Sequence, residues 1–212
     1  MTRATSSGLE RLNELPPREA EALLLSCCGS REWARQLAAE RPFGSAEELA
    51  EASDRIWLSL PNEEWLGAFA AHPRLGEVAG TGPAGLQPPP NSAGTGPAGL
   101  HPQQFIAGTD PTDLHPPSSP SRTADWSRRE QAGTKSASSQ TLANIAEANR
   151  RYEERFGHIF IVCASGKSAA EMLALARARL HNDAQTELEI AAEEQRKITR
   201  LRLAKLLEAE GA

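Results

Sequence analysis

Residues 142–164 read LANIAEANRRYEERFGHIFIVCA, and this stretch decides the fold class. Its first part carries residues at spacings of three and four that share one helix face: Leu142, Ile145, Asn149, Tyr152 and Phe156. Gly157 follows, at a position where helices commonly end. The next run, residues 158–164, is apolar and rich in β-branched residues, but one short run cannot build a sheet. We therefore predict an all-α fold in which this run is an extended, buried connector.

Signals for helix starts lie on both sides of this stretch. Upstream, residues 17–25 begin with a proline, which suits the first turn of a helix, and residues 45–48 (SAEE) have the pattern of a capping box. Downstream, residues 168–171 (SAAE) repeat that pattern. Asn182 or Asp183 is expected to cap a last long helix. The apolar residues that this helix is predicted to carry are Leu188, Ala191, Ile198 and Leu201.

One further helix matters for function. Asn62 is expected to cap it, and it should end near Ala71, because Pro73 disfavours helical geometry at His72. A histidine at a forced helix end can project its ring into a cleft, and imidazole is the side chain best suited to proton transfer near neutral pH. The alternative is a histidine that only caps the helix by bonding a nearby carbonyl. Spacing alone favours that alternative.

Residues 79–120 are unlike the rest of the chain. AGTGPAGL occurs at 79–86 and again at 93–100, and AGTDPTDL at 107–114 is a degraded third copy. This 14-residue repeat region holds 10 of the 15 prolines and 7 of the 16 glycines, and it has no apolar face to stack. We predict a single multihelical domain, residues 1–78 and 121–212, interrupted by a long disordered Gly/Pro-rich insertion at 79–120.

Composition excludes several classes of protein. The formal charge is −5 without a basic cluster, so a nucleic-acid partner is not expected. No apolar stretch approaches the ~20 residues that span a bilayer, and no signal peptide or peroxisomal tripeptide is present, so a cytoplasmic protein without a membrane partner is expected. Cys27, Cys28 and Cys163 have no zinc-site spacing and are predicted to be buried and unreactive. No metal site is expected.

Two polar motifs flank the repeats, and neither contains a phosphate loop or a nucleophile elbow. Residues 71–77 read AHPRLGE and residues 126–133 read WSRREQAG. In the second, Ser127 and Glu130 have capping-box spacing. The functional alternative is that Glu130 orients His72 while neighbouring polar residues bind substrate. The two alternatives are compatible, since a helix N-terminus also attracts anions.

An ordered set of motifs resembles the OHCU (2-oxo-4-hydroxy-4-carboxy-5-ureidoimidazoline) decarboxylase family. The set comprises LSCCGSREWA with RPF, then AHPRLGE, WSRREQAG, NRRYEERFGHIFIVCASGKS and RARLHNDAQTELEIAAEEQRKITRLRLAKLL, and it covers nearly all residues outside the repeats. The resemblance implies an all-helical homodimer that acts on a small ureidoimidazoline. The implied reaction is decarboxylation to (S)-allantoin in urate breakdown, without a metal or organic cofactor.

The resemblance also assigns roles to residues. His72 and Glu130 are the implied catalytic pair, with His72 handling the proton and Glu130 orienting the imidazole and raising its proton affinity. The implied substrate-binding residues are Pro73, Ser127, Gln131, Phe160, Ile161, Val162, Cys163 and Ala164. Arg128 and Arg129 are added as substrate-binding candidates because arginines can hold a carboxylate. Ser165 stands where some relatives carry an arginine, so no side-chain anion clamp is assigned there. The alternatives are a hydrolase of a related ureide and a helical ligand-binding module without activity.

Overall fold

The protein is described by a computed structural model, which covers residues 3–76, 126, 127, 129–134 and 137–209, with the side chains of residues 3–7, 134 and 209 left out. Over these residues it contains eight α-helices, a short 3-10 helix at Ala132–Thr134 and no strand. The helices are α1 (Arg3–Glu14), α2 (Pro17–Cys28), α3 (Arg31–Ala39), α4 (Ala46–Ser59), α5 (Asn62–Ala70), α6 (Ser139–Phe156), α7 (Ala169–Arg179) and α8 (Ala184–Ala209). The prediction of an all-α fold is confirmed. The repeats at 79–120 lie outside the described residues.

Most of the predicted helix ends are confirmed. Pro17 is the first residue of α2, Gly157 ends α6 with a left-handed φ of 74°, and Ser168 with Glu171 forms a complete capping box. Asp183 rather than Asn182 caps α8, because its carboxylate accepts the backbone N–H of Thr186 at 3.0 Å. Local polar chemistry therefore accounts for these ends.

Other local predictions need correction. Ser45 caps α4, but the Glu48 carboxylate accepts the N–H of Gly44, so only half of the capping box forms. Asn62 is already helical and makes no cap, since Pro61 precedes it at the N-cap position. Leu142 was grouped with residues of the buried face of α6, but it is 37% exposed. Helix α1 carries no strong start signal and was not predicted.

Helix α8 organises the larger of two hydrophobic clusters. It packs against α1, α2 and α4, and the indole N–H of Trp57 donates to its Ala192 carbonyl at 2.9 Å. The approach to α1 is close, because a Cβ on Gly8 would lie 2.1 Å from the carbonyl oxygen of Leu207. The second cluster lies between α6 and α7.

The predicted connector joins the two clusters. Ile161 and Cys163 are buried in the first cluster, whereas Phe160, Val162 and Ala164 are buried in the second. This alternation with a period of two is the signature of an extended chain whose opposite faces both pack. The extended, buried connector is therefore confirmed, although it pairs with no other strand in the part of the chain that is described.

Candidate active site

His72 follows the end of α5 and lines a cleft. Ala71 caps the helix, and the backbone N–H of His72 still donates to the Phe69 carbonyl at 3.0 Å, so the chain turns before Pro73 as predicted. Two adjoining cavities of about 300 Å³ and 290 Å³, including their open mouths, share the His72 side chain.

Residues from four separate parts of the chain form the walls. The first cavity is lined by His72, Ser127, Glu130, Gln131, Val162, Cys163, Ala164, Ser165, Ile198 and Leu201. The second is lined by His72, Pro73, Leu75, Gln131, Phe160, Ile161, Val162 and Ile198. Gln131 ties two of these parts together, because its Oε1 accepts the Gly76 N–H at 3.0 Å. Nearly all of the predicted site residues therefore meet in one place.

Glu130 is held by an arginine that the sequence analysis did not consider. Arg202 of α8 is 1% exposed, and its guanidinium donates to both Glu130 oxygens at 3.1 and 2.8 Å and to Ser127 Oγ at 3.0 Å. Trp126 and Ser127 are already helical, so Ser127 is not an N-cap. The capping-box interpretation is wrong for this pair, because both side chains turn toward α8.

The electrostatics of His72 also differ from expectation. Its pKa is lowered from 6.5 to about 3, mainly by burial and also by the positive charge of Arg202, while an interaction with the Gln195 side chain opposes the shift. His72 as a whole is half-buried and lines the cleft. Glu130 was expected to raise the proton affinity of His72, but its charge is taken up by Arg202. The imidazole is therefore neutral at neutral pH.

The connector wall is fixed from behind. Arg179 donates to the Ile161 carbonyl at 2.8 Å, and its guanidinium lies 4.6 Å from the centre of the Phe160 ring. Arg179 is itself held by an ion pair with Glu187, which is fully buried. The backbone N–H of Cys163 donates to Glu194 at 2.7 Å. These two hydrogen bonds use the backbone C=O of Ile161 and the backbone N–H of Cys163, but not the backbone groups of Val162 between them.

The remaining predicted residues are not brought to the cleft. Arg129 is exposed and lines neither cavity. Arg128 lies outside the described residues. The three cysteines are buried and free, as predicted, and burial raises the pKa of Cys28 to about 11. Among the described residues no group of His, Cys, Asp or Glu is arranged to hold a metal ion.

Two buried polar residues of α8, Arg202 and Gln195, were missed. With Thr199 they lie at spacings of four and three, on the same helix face as Ile198. Polar side chains that recur on a buried helix face need partners, and that pattern was the available signal.

Nothing in the described helices is long and apolar enough to cross a membrane.

Comparison with known proteins gives consistent matches. The model of a family described as OHCU decarboxylase matches residues 13–89 and 113–204. The uric acid degradation bifunctional protein TTL of Arabidopsis thaliana is 36% identical over 185 residues, 85% of this chain and 45% of that protein. The 2-oxo-4-hydroxy-4-carboxy-5-ureidoimidazoline decarboxylase of Amia calva is 35% identical over 78 residues, 37% of this chain and 45% of that protein. The chain thus spans less than half of the length of these curated relatives.

Solved structures agree in fold. A crystal structure of an OHCU decarboxylase in the presence of (S)-allantoin superposes with a TM-score of 0.61 at 31% identity, covering 86% of this chain and 95% of that one. A crystal structure of an (S)-allantoin synthase, at 16% identity and a TM-score of 0.58, shares the fold.

Proposed function

Because this chain belongs to the OHCU decarboxylase family, we propose that it is a carboxy-lyase that converts 2-oxo-4-hydroxy-4-carboxy-5-ureidoimidazoline to (S)-allantoin. The observation that carries the proposal is the cleft in which His72, Glu130 and the connector meet. A neutral imidazole, a buried carboxylate and backbone amides suit a small substrate with a hydroxyl, a carboxylate and a ureido group. The proposed place of the reaction is urate breakdown, with no cofactor.

The substrate supplies its own electron sink. The carbon that bears the hydroxyl and the carboxylate is bonded to a ring carbon that is doubly bonded to nitrogen. When the carbon–carboxylate bond breaks, its electron pair forms a carbon–carbon double bond and the imine nitrogen takes up a proton. The resulting enol becomes allantoin by losing its hydroxyl proton and gaining one at the ureido-bearing carbon. The protein has to orient these groups and deliver that proton to one face.

His72 is the proposed proton carrier. Its lowered pKa keeps the imidazole neutral, so a nitrogen lone pair is available to accept the hydroxyl proton. A bound substrate carboxylate favours the protonated imidazole, because the two charges are opposite. The imidazolium formed in this way can return the proton to carbon. His72 thus acts as the base that accepts the hydroxyl proton and then as the acid that donates it to carbon.

Glu130 takes a different proposed role from the one inferred from sequence. Each of its oxygens already accepts from Arg202, but an ionised carboxylate has about four lone-pair positions, so it can still accept from a ligand. It lines the cleft next to Gln131. We assign Glu130 to accepting the N–H groups of the ureido or ring amides, with Arg202 fixing its position.

The connector offers a backbone donor and acceptor. In an extended chain the N–H and C=O of one residue point to the same side, and successive residues alternate. The Ile161 C=O and the Cys163 N–H point to Arg179 and Glu194, which directs the amide groups of Val162 to the opposite side, where Val162 lines both cavities. Neither group of Val162 has a partner among the described residues. A urea group has both a C=O that can accept from this N–H and an N–H that can donate to this C=O. Of residues 161–164, we therefore assign the backbone contact with the ureido group to Val162.

The test is stereospecific product formation. Urate oxidase and the hydrolase that follows it generate the labile substrate in situ, and circular dichroism records (S)-allantoin with and without the protein. We expect rapid appearance of the (S) signal, with a rate that falls by ~10²–10⁴ in His72→Asn while the fold is kept. Well-folded protein that does not accelerate decay of the substrate contradicts the proposal and favours the binding module. Ring opening without release of CO₂ favours a ureide hydrolase.

Three further expectations remain proposals. The family domain is formed by residues 1–78 and 121–212, with 79–120 inserted, which the separation of the two matched stretches, 13–89 and 113–204, supports. Deletion of 79–120 should leave the melting temperature almost unchanged. A homodimer is expected by light scattering after gel filtration, and cytoplasmic location by imaging in the host cell.

A further inference from the structure

The side chain of Gln195 has a fixed orientation. It is fully buried on α8, and its Nε2 donates to the Cys28 carbonyl at 3.4 Å and to Thr199 Oγ1 at 3.2 Å. A carbonyl oxygen can only accept, so the NH₂ side of the amide must face Cys28. The hydroxyl of Thr199 donates its hydrogen to the backbone carbonyl of Gln195 at 3.0 Å. The oxygen of that hydroxyl can therefore accept a hydrogen bond from Gln195 Nε2. Both contacts require the same orientation of the amide.

This orientation directs the other end of the amide elsewhere. Gln195 Oε1 is buried and has no donor that meets hydrogen-bond geometry among the described residues. A buried acceptor without a donor is destabilising, so a nearby donor is expected to serve it. The ring of His72 is the nearby candidate, because a side-chain interaction with Gln195 favours a proton on the ring and opposes the lowering of the pKa of His72. Only Oε1 of the amide can act in that sense.

We propose that Gln195 is a positioning residue that fixes the tautomer of His72, by accepting a hydrogen bond from the ring nitrogen that faces α8. The ring nitrogen toward Gln195 is then N–H, and the other nitrogen carries the lone pair. In a neutral imidazole the two assignments exclude each other. The inference rests on the proposed function, because it states which nitrogen of His72 accepts the substrate hydroxyl proton.

The charges around the ring agree with this arrangement. Arg202, on the same helix as Gln195, disfavours an imidazolium, while Glu130 on the facing segment is paired with Arg202 and with Lys205 at 3.5 Å. Among the described residues no charged partner therefore selects the tautomer, and a neutral amide does so. Ile198, three residues after Gln195, lines both cavities, which places Gln195 in the layer that supports the cleft.

Nitrogen NMR of histidine-labelled protein reads the tautomer directly. The ring nitrogens of His72 are assigned as the signals that disappear in His72→Asn. We expect one tautomer in the wild-type protein and a mixture in Gln195→Met, which keeps the side-chain length and removes the acceptor. Gln195→Glu keeps an acceptor, so it should keep the tautomer, and it serves as a second test if the Met variant does not fold.

Turnover provides the second readout. Loss of the fixed tautomer removes the correct base from part of the population, so kcat of Gln195→Met should fall about ten- to a hundredfold while KM stays within about twofold. Leu206→Ala is the matched control, because Leu206 is a buried residue of α8 away from the cleft. It should lower the melting temperature but leave kcat unchanged.

Two results overturn the proposal: an unchanged tautomer in Gln195→Met, or a kcat of that variant equal to the wild-type value. Failure of the proposed function is distinguishable from both. Wild-type protein that releases no CO₂ removes the decarboxylase assignment, while the NMR spectra still decide whether Gln195 orients His72.

Discussion

Replacing Glu130 by alanine leaves the guanidinium of Arg202 buried without its counter-charge. Arg202 is 1% exposed and, among the described residues, would keep two neutral acceptors, Ser127 Oγ at 3.0 Å and the Cys27 carbonyl at 3.5 Å. Breaking a buried ion pair from one side costs about 3–5 kcal/mol. Domains are stable by about 5–15 kcal/mol, so this single change removes a large fraction of the free energy of unfolding.

A double-mutant cycle isolates the pair. Arg202→Met leaves Glu130 with Lys205 at 3.5 Å as its remaining cation, so its cost should be somewhat smaller than that of Glu130→Ala. In the double variant no unpaired charge remains, so its loss should be smaller than the sum of the single losses by about 1–3 kcal/mol. The pair then acts as one unit.

Urea unfolding at neutral pH, followed by circular dichroism, gives the free energies. We expect the midpoints to fall without a change in the slope, and the melting temperature of Glu130→Ala to fall by roughly 6–20 °C for a chain of this size. Arg55→Met is a control, because Arg55 pairs with Glu40 at the surface and should cost under about 1 kcal/mol. Losses below that value for Glu130→Ala, or additive single effects, would refute the reasoning.

Three other predictions follow from the same structure. The pKa of His72 is lowered on folding, so the native state binds fewer protons below pH 6.5, and the stability present above that pH should be lost as the pH falls toward about 3. Acid titration of His72→Asn should show a shallower loss, and an equally steep one would contradict the burial of the ring. Arg179→Met frees the Ile161 carbonyl and leaves Glu187 without its cation, so urea unfolding should show a loss of about 3–5 kcal/mol and kinetics a higher KM. Cys28, whose pKa burial raises to about 11, should resist iodoacetamide at pH 8 until the protein unfolds, and fast labelling of the native state would count against it.

Sequence reasoning reached the features that local chemistry decides. The end of α5 shortly before Pro73 and the extended connector depend on neighbours in the chain, and the structure agrees with both. The motif around Ser127 and Glu130 was also found, but its local interpretation as a capping box fails. Arg202, which lies 72 residues after Glu130, donates hydrogen bonds to both side chains, and no local sequence pattern predicts such a contact.

The charge state of His72 shows the same limit. A nearby carboxylate normally raises the pKa of a histidine, so Glu130 was expected to make the ring more basic. The sign reverses because the carboxylate is already neutralised by Arg202, whose own field reaches the ring. Only the arrangement in space tells which of two opposite charges acts on an imidazole.

The alternating burial of the connector ties catalysis to cooperativity. Residues 160–164 give one face to each hydrophobic cluster, so the loss of either cluster removes the support for the wall of the cleft. A partly unfolded molecule, with one cluster intact, therefore has no site at all. In a mixture of fully folded and partly folded molecules, only the fully folded molecules contribute to the measured turnover rate. Hydrogen exchange at residues 160–164 should accordingly open in a single step with the helices on both sides.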